Sequence, residues 1–129
     1  MTTPIPTSAA MSAAEFRITR EAVGFTQDAL SMHLECSRRS VANWEDGTRP
    51  VPDDMRDAII RLAAYTDGAV DALAYQLSGS DTPSVETYRD DETVPVLWSG
   101  MPASWHRAVV ARVARRIPSL RITYGGQGQ

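Results

Sequence analysis

Four side chains within residues 38–43 have the chemistry to read the edges of base pairs: Arg38, Arg39, Ser40 and Asn43. A guanidinium fork matches O6 and N7 of guanine, and a carboxamide matches N6 and N7 of adenine, as a major groove presents them. A serine hydroxyl suits a phosphate or a base edge. Such groups act together only if one rigid element carries them on one side. The flanking residues predict that element. Ser37 is a helix N-cap, Val41 and Trp44 fall on the opposite side, and Gly47 stands just past the end, where a left-handed residue is wanted. Arginines at the first two positions also lie where a helix end attracts phosphate. Arg49 follows in the loop, placed to clamp a phosphate. The other reading of all these groups is a merely soluble surface.

A second, shorter helix precedes this one. Thr26 is its N-cap, Gln27 opens it, and Ala29, Leu30 and Leu34 form an apolar face at helical spacing. Leu34 and Ser37 are so close that the two helices must cross steeply, as in a helix-turn-helix. The stretch resembles the helix-turn-helix family of the phage Cro and repressor proteins, the xenobiotic-response-element type. The resemblance covers roughly Ser12 to Asp67. It rests on Phe25-Thr26-Gln27, the small residue Cys36 before Ser37, and Trp44-Glu45-Asp46-Gly47, in the family's order and without gaps. It implies a lambda-repressor-like bundle that binds double-stranded DNA. It also implies that Thr26 and Gln27 hold the phosphate backbone, and that Arg20 pairs with Glu45 to tie the first helix to the recognition helix. A phosphate contact by Arg20 is the alternative, and both could hold at once. In the family the position of Cys36 is small, buried and apolar, so inert packing is expected there rather than a redox switch. One position departs. The family usually has Gly where this chain has Glu35, and a left-handed backbone costs a residue with a Cβ about 1 kcal/mol.

The rest of the chain must position this unit. Residues 1–10 have no period and two prolines, and read as a disordered arm without charge. Ser12-Ala-Ala-Glu15 is a capping box that starts a helix running to about Val23, with Gly24 as its stop. Pro50-Val-Pro-Asp-Asp54 opens another helix, and Met55, Ile59, Leu62, Thr66, Ala69, Val70, Leu73 and Leu77 keep one stripe through Gly68. This predicts a single helix over 53–78, about 39 Å long, more than one small bundle can cover. A turn at 78–83 follows, then strand-like runs at 85–88 and 94–98, a helix over about 102–116, and an alternating strand at 120–124. Gly125 to Gln129 read as a disordered tail. The expected fold is mainly α with a small α+β C-terminal part: a helix-turn-helix domain over 11–67 and a strand-helix-strand dimerisation unit over 68–124. Leu73, Leu77, Trp98, Trp105, Val109 and Val113 are the candidate dimer contacts. Trp44 is expected in the helix–helix core rather than stacked on a base. The layout resembles, more narrowly, phage and bacterial regulators of the kind associated with anti-CRISPR genes, a link supported by Trp44-Glu45 and Val51-Pro52-Asp53-Asp54.

Composition bounds the remaining classes. The chain has 129 residues, one cysteine and a formal net charge of −3, and all 13 of its positive side chains are arginine. A single cysteine forms no disulfide within the chain. Net negative charge argues against bulk coating of nucleic acid, not against specific binding. No apolar run reaches membrane-spanning length and no basic-then-apolar leader is visible, so a soluble cytoplasmic protein is expected, with no membrane partner. His33 and His106 have no Cys or acid at ligand spacing, so no metal or other cofactor is expected. His106 falls in the apolar arc of its helix, as a hydrogen-bonded interface group or as a pH-sensitive one. Arg107, Arg112, Arg115 and Arg116 read as a solvated face, or as a second nucleic-acid contact. Neither a Gly-rich phosphate loop nor a nucleophile with its base is present, and no enzyme is expected. The functional expectation is a sequence-specific repressor, homodimeric on an inverted repeat. Two alternatives are an antitoxin whose C-terminal unit binds a protein partner, and an interaction module that kept the shape without reading DNA.

Overall fold

Local side-chain caps set the helix starts in the N-terminal half. Ser12 Oγ accepts from the Glu15 N–H at 3.0 Å while the Glu15 carboxylate accepts from the Ser12 N–H at 2.9 Å, which opens α1 (Ala13–Ala22). Thr26 Oγ1 accepts from the Ala29 N–H at 3.0 Å and opens α2 (Gln27–Leu34). Ser37 Oγ accepts from the Ser40 N–H at 3.0 Å and opens α3 (Arg38–Asp46). Each bond satisfies a first-turn N–H that the helix itself leaves unpaired. Glu35 between α2 and α3 is left-handed, at φ 57° and ψ 48°, so the turn keeps its usual geometry in spite of the side chain. Gly47 ends α3 at φ 84°.

The computed structural model describes residues 10–95 and 100–125. The expectations for most of the N-terminal arm, for Trp98 and for the tail beyond Gly125 lie outside the described residues. After α3 the chain forms α4 (Asp53–Leu77), β1 (Ser84–Thr87), a 3₁₀ turn (Asp91–Thr93), α5 (Ala103–Arg116) and β2 (Arg121–Tyr124). The helix α4 runs unbroken through Gly68, as its stripe predicts. β1 and β2 pair in parallel, with Ser84 opposite Arg121 and Thr87 opposite Tyr124. Parallel strands need a crossover, and α5 is that crossover. The strand-helix-strand unit therefore uses 84–87 as its first strand. Val94 and Pro95, the described part of the run expected at 94–98, are not in a strand. Among the described residues no helix is long and apolar enough to cross a membrane.

One core joins both halves. Phe16, Leu30, Val41 and Ile59 are fully buried, and Trp105, Val109 and Val113 of α5 belong to the same cluster. Trp105 is 0% exposed; its indole N–H donates to Thr66 Oγ1 at 2.9 Å, and its ring stacks on Tyr65 at 5.9 Å. This corrects the expectation that Trp105, Val109 and Val113 form a dimer surface. Their own chain covers them, because the second half of α4 lies directly against α5. Leu73 and Leu77 stay half-buried at the edge of that seam. α5 also presses on the first bundle. A Cβ on Gly24 would stand 2.5 Å from the Ser104 carbonyl oxygen and 2.8 Å from Ala108 Cβ. The α5 arginines are not simply a solvated face. Arg112 reaches Asp67 at 2.6 Å and Arg116 reaches Asp71 at 2.9 Å, while Arg107 donates to the Tyr88 and Arg89 carbonyls.

Candidate nucleic-acid interface

α3 is fixed from behind and open in front. Val41 is 0% exposed and Trp44 is 7%, with the Trp44 ring edge-on to Phe16 at 5.7 Å. That is the helix–helix contact expected of Trp44. Arg38 and Arg39 are exposed on the other side, and Ser40 and Asn43 are half-buried beside them. The Arg39 guanidinium makes no ion pair or hydrogen bond among the described residues, so its five donors are available. Arg38 lies 3.5 Å from Asp28 of α2, both side chains well exposed. An exposed pair of this kind is worth little and yields to a stronger anion. Ser40 Oγ accepts from Ser37 Oγ at 3.0 Å, so the two hydroxyls sit together at the helix start. Arg49 is exposed, and its N–H donates to the Asn43 carbonyl at 3.2 Å. This bond folds the loop back on α3 and sets the Arg49 side chain near the helix end.

The presentation angle of α3 depends on a buried ion pair. Arg20 Nε and Nη2 donate to the two Glu45 oxygens at 2.5 and 2.9 Å, and Arg20 Nη1 donates to the Phe25 carbonyl at 2.9 Å. The side chains are 10% and 4% exposed. Expected from resemblance alone, the pair thus stands as a bidentate fork that links α1, the turn and α3. Burial pushes the Glu45 carboxyl up, but hydrogen bonds from Arg20 and Gln27 and the charges of Arg20 and Arg17 outweigh it. The net effect holds Glu45 below the usual carboxylate range. The hydrogen bond to Glu45 likewise raises Arg20, against its own desolvation.

Gln27 does more than its place at the helix start suggested. Its amide N–H donates to Glu45 Oε1 at 3.1 Å, so it is a third leg of the clamp. The second hydrogen of that amide nitrogen remains to donate, and Thr26 Oγ1, exposed, still has its own proton. Asp28 was also missed as a partner of Arg38. The signal was present, since Asp28 lies in the first turn of α2 and α2 crosses the start of α3. Cys36 is half-buried, and burial pushes its thiol up, away from a reactive thiolate. The described residues contain no cluster of His, Cys, Asp and Glu fit to hold a metal ion.

Residues 13–76 match a family model described as a helix-turn-helix domain. This segment is a helix-turn-helix domain. Its bounds take in α1 to α3 and nearly all of α4, so the long helix belongs to the domain as much as to the C-terminal unit. No curated protein matches the chain. Within the helix-turn-helix, α3 is the helix that carries the free arginine fork, and α2 is the one that braces it.

Proposed function

We propose that this chain is a sequence-specific DNA-binding transcriptional regulator, a homodimeric repressor that covers an inverted-repeat operator, its own promoter included. One observation carries this reading: α3 holds Arg39 uncommitted and Arg38 only loosely paired on its outer side, while Val41, Trp44 and the Arg20–Glu45 fork lock its inner side. A helix fixed so firmly, with unspent guanidinium groups outward, suits the floor of a major groove. Thr26, Gln27, Ser40 and Arg49 are assigned to the phosphates on either side, Arg38 and Arg39 to guanine, and Asn43 to adenine. A single helix reads only a few base pairs, so two copies about 34 Å apart supply the specificity that an operator needs.

The test is a gel shift of the purified chain on the DNA upstream of its gene, with random DNA of equal length as competitor. A complex that survives the competitor supports the reading. Equal affinity for both DNAs would reduce the protein to a non-specific binder, and no complex at low salt would remove the DNA reading altogether.

A further inference from the structure

The second half of α4 carries an uncharged stripe that its own chain leaves open. Tyr65 and Tyr75 are 56% and 83% exposed, and Gly68 and Ala72 between them are exposed too. A Cβ built on Gly68 meets nothing within 4 Å. The order 65, 68, 72, 75 alternates steps of three and four, the spacing of a helix–helix seam. Asp67 and Asp71 lie off this stripe and turn to Arg112 and Arg116 of α5. Tyr65, Gly68 and Ala72 also form one wall of a cleft of about 620 Å³ between α4, α5 and β1, where Leu73 and Val85 extend the apolar surface and Glu86 adds a polar rim. Arg61, one step before Tyr65, is exposed and makes no ion pair among the described residues. The last turn of α4 carries no basic residue.

We propose that this stripe docks a second copy of the chain, α4 against α4, antiparallel about a two-fold axis level with Val70. The proposal rests on the homodimeric reading above and gives it a surface. The stripe is self-complementary in that arrangement alone. A two-fold axis at this level sets Gly68 against Ala72 of the second copy, and Tyr65 against its Tyr75. Small residues meet at the centre, where the helices can approach closely, and aromatic pairs close both ends. Arg61 then falls beside the last turn of the opposite α4, the negative end of the helix dipole, which has no basic residue of its own. A parallel pair would stack Arg61 on Arg61 and Tyr75 on Tyr75, and gains neither match.

The experiment uses the full chain. Sedimentation at micromolar concentration should show a dimer. Ala72→Arg, at an exposed position, should give a monomer with unchanged circular dichroism, and its operator affinity should fall about 100-fold or more as the second half-site becomes a separate binding event. Ile60→Arg, exposed but off the stripe, should leave the dimer intact. Geometry is tested by disulfides in a Cys36→Ser background. A mixture of Tyr65→Cys and Tyr75→Cys chains should cross-link, and neither should cross-link alone, since like positions stand well beyond disulfide reach in an antiparallel pair. A monomeric parent overturns the proposal. So does a dimer that survives Ala72→Arg and gives no mixed disulfide, an outcome that would place the partner elsewhere, as on the open edge of β2. A monomer that still shifts operator DNA sinks the dimer surface and keeps the DNA reading. A cross-linked dimer that shifts no DNA does the reverse.

Discussion

Arg39 and Arg49 carry the same charge in different settings, and the settings predict different losses. Arg39 projects, exposed, from the first turn of a braced helix, and the proposed reading assigns its fork to a base edge. Arg49 sits in a loop tied to Asn43 through its backbone, and the proposed reading assigns it to a phosphate. Arg39→Ala should cost about 1–3 kcal/mol on the operator and relax discrimination at one base position. Arg49→Ala should weaken all sequences alike and lower the salt slope by about one. Binding titrations at several salt concentrations separate them, and equal losses on operator and random DNA for both would end the base-reading role of Arg39. Glu45 is a different kind of residue, since its carboxylate is turned inward into the fork with Arg20. Glu45→Ala leaves the buried Arg20 with the Phe25 carbonyl and a half-exposed Glu21 carboxylate 3.9 Å away, and should cost about 3–5 kcal/mol of stability. Urea melts decide it; a loss under about 1 kcal/mol would mean that water replaces the carboxylate. Because the carboxyl lies below its ordinary value when folded, its contribution is present above the unfolded carboxylate range and is lost only as pH falls through the lower folded one.

Between elements, the tightest constraint is the approach of α5 to the turn after α1. Gly24 has φ 77°, and a methyl group there would strike the Ser104 backbone at 2.5 Å. Gly24→Ala should therefore cost about 2–4 kcal/mol, backbone strain and overpacking together. Gly47 is the control. It has φ 84° but open space around it, so Gly47→Ala should cost only about 1 kcal/mol. Similar losses at both would show that α5 yields easily. α5 is also anchored by His106, which is 5% exposed and shares a hydrogen bond of 2.9 Å with Thr87 Oγ1 of β1. Burial lowers its pKa, so the neutral ring is the folded form. The unfolded chain then binds the proton more readily. This contribution is whole above the ordinary histidine value of about 6.5 and is lost as pH falls through it toward the lower folded value. Tm should drop on acidification below about pH 6.5, and His106→Gln should remove that part of the slope. A slope that His106→Gln leaves unchanged assigns it to other groups.

For the molecule as a whole, the helix-turn-helix and the C-terminal unit cannot be parted at α4 without damage. The expected boundary at 67–68 falls in the middle of a helix that runs to Leu77, and Trp105 rests on Thr66 just before it. A chain that ends at Gly68 keeps every candidate DNA contact, yet it loses α5 as the cover of the shared core. It should unfold at a lower urea midpoint than the full chain, run as a monomer, and bind operator DNA more weakly. Circular dichroism in urea measures the first effect and sedimentation the second. An unchanged midpoint would show that the first four helices are self-sufficient and that the Trp105 contact adds nothing.

Sequence alone determined what depends on neighbours along the chain. The caps at Ser12, Thr26 and Ser37 act within three residues, and the apolar stripe of α4 follows from helical period, so both were legible and stand where expected. The Arg20–Glu45 fork spans 25 residues, and only the family resemblance carried it into the reading. Tertiary structure decided what depends on meetings at long range. Trp105 looked like interface because its helix is apolar on one side. Only folding revealed that α4 already fills that side, with Thr66 supplying the oxygen that its indole needs. Likewise the pairing of β2 with β1 was decided at long range, since strand pairing is set by where a crossover lands and not by local alternation. Asp91 lends its carboxylate to the first N–H of α5 at 2.8 Å because Pro102, at the cap, has no acceptor side chain. No periodicity could have announced that bond, which exists only because the chain brings a 3₁₀ turn to the start of a helix.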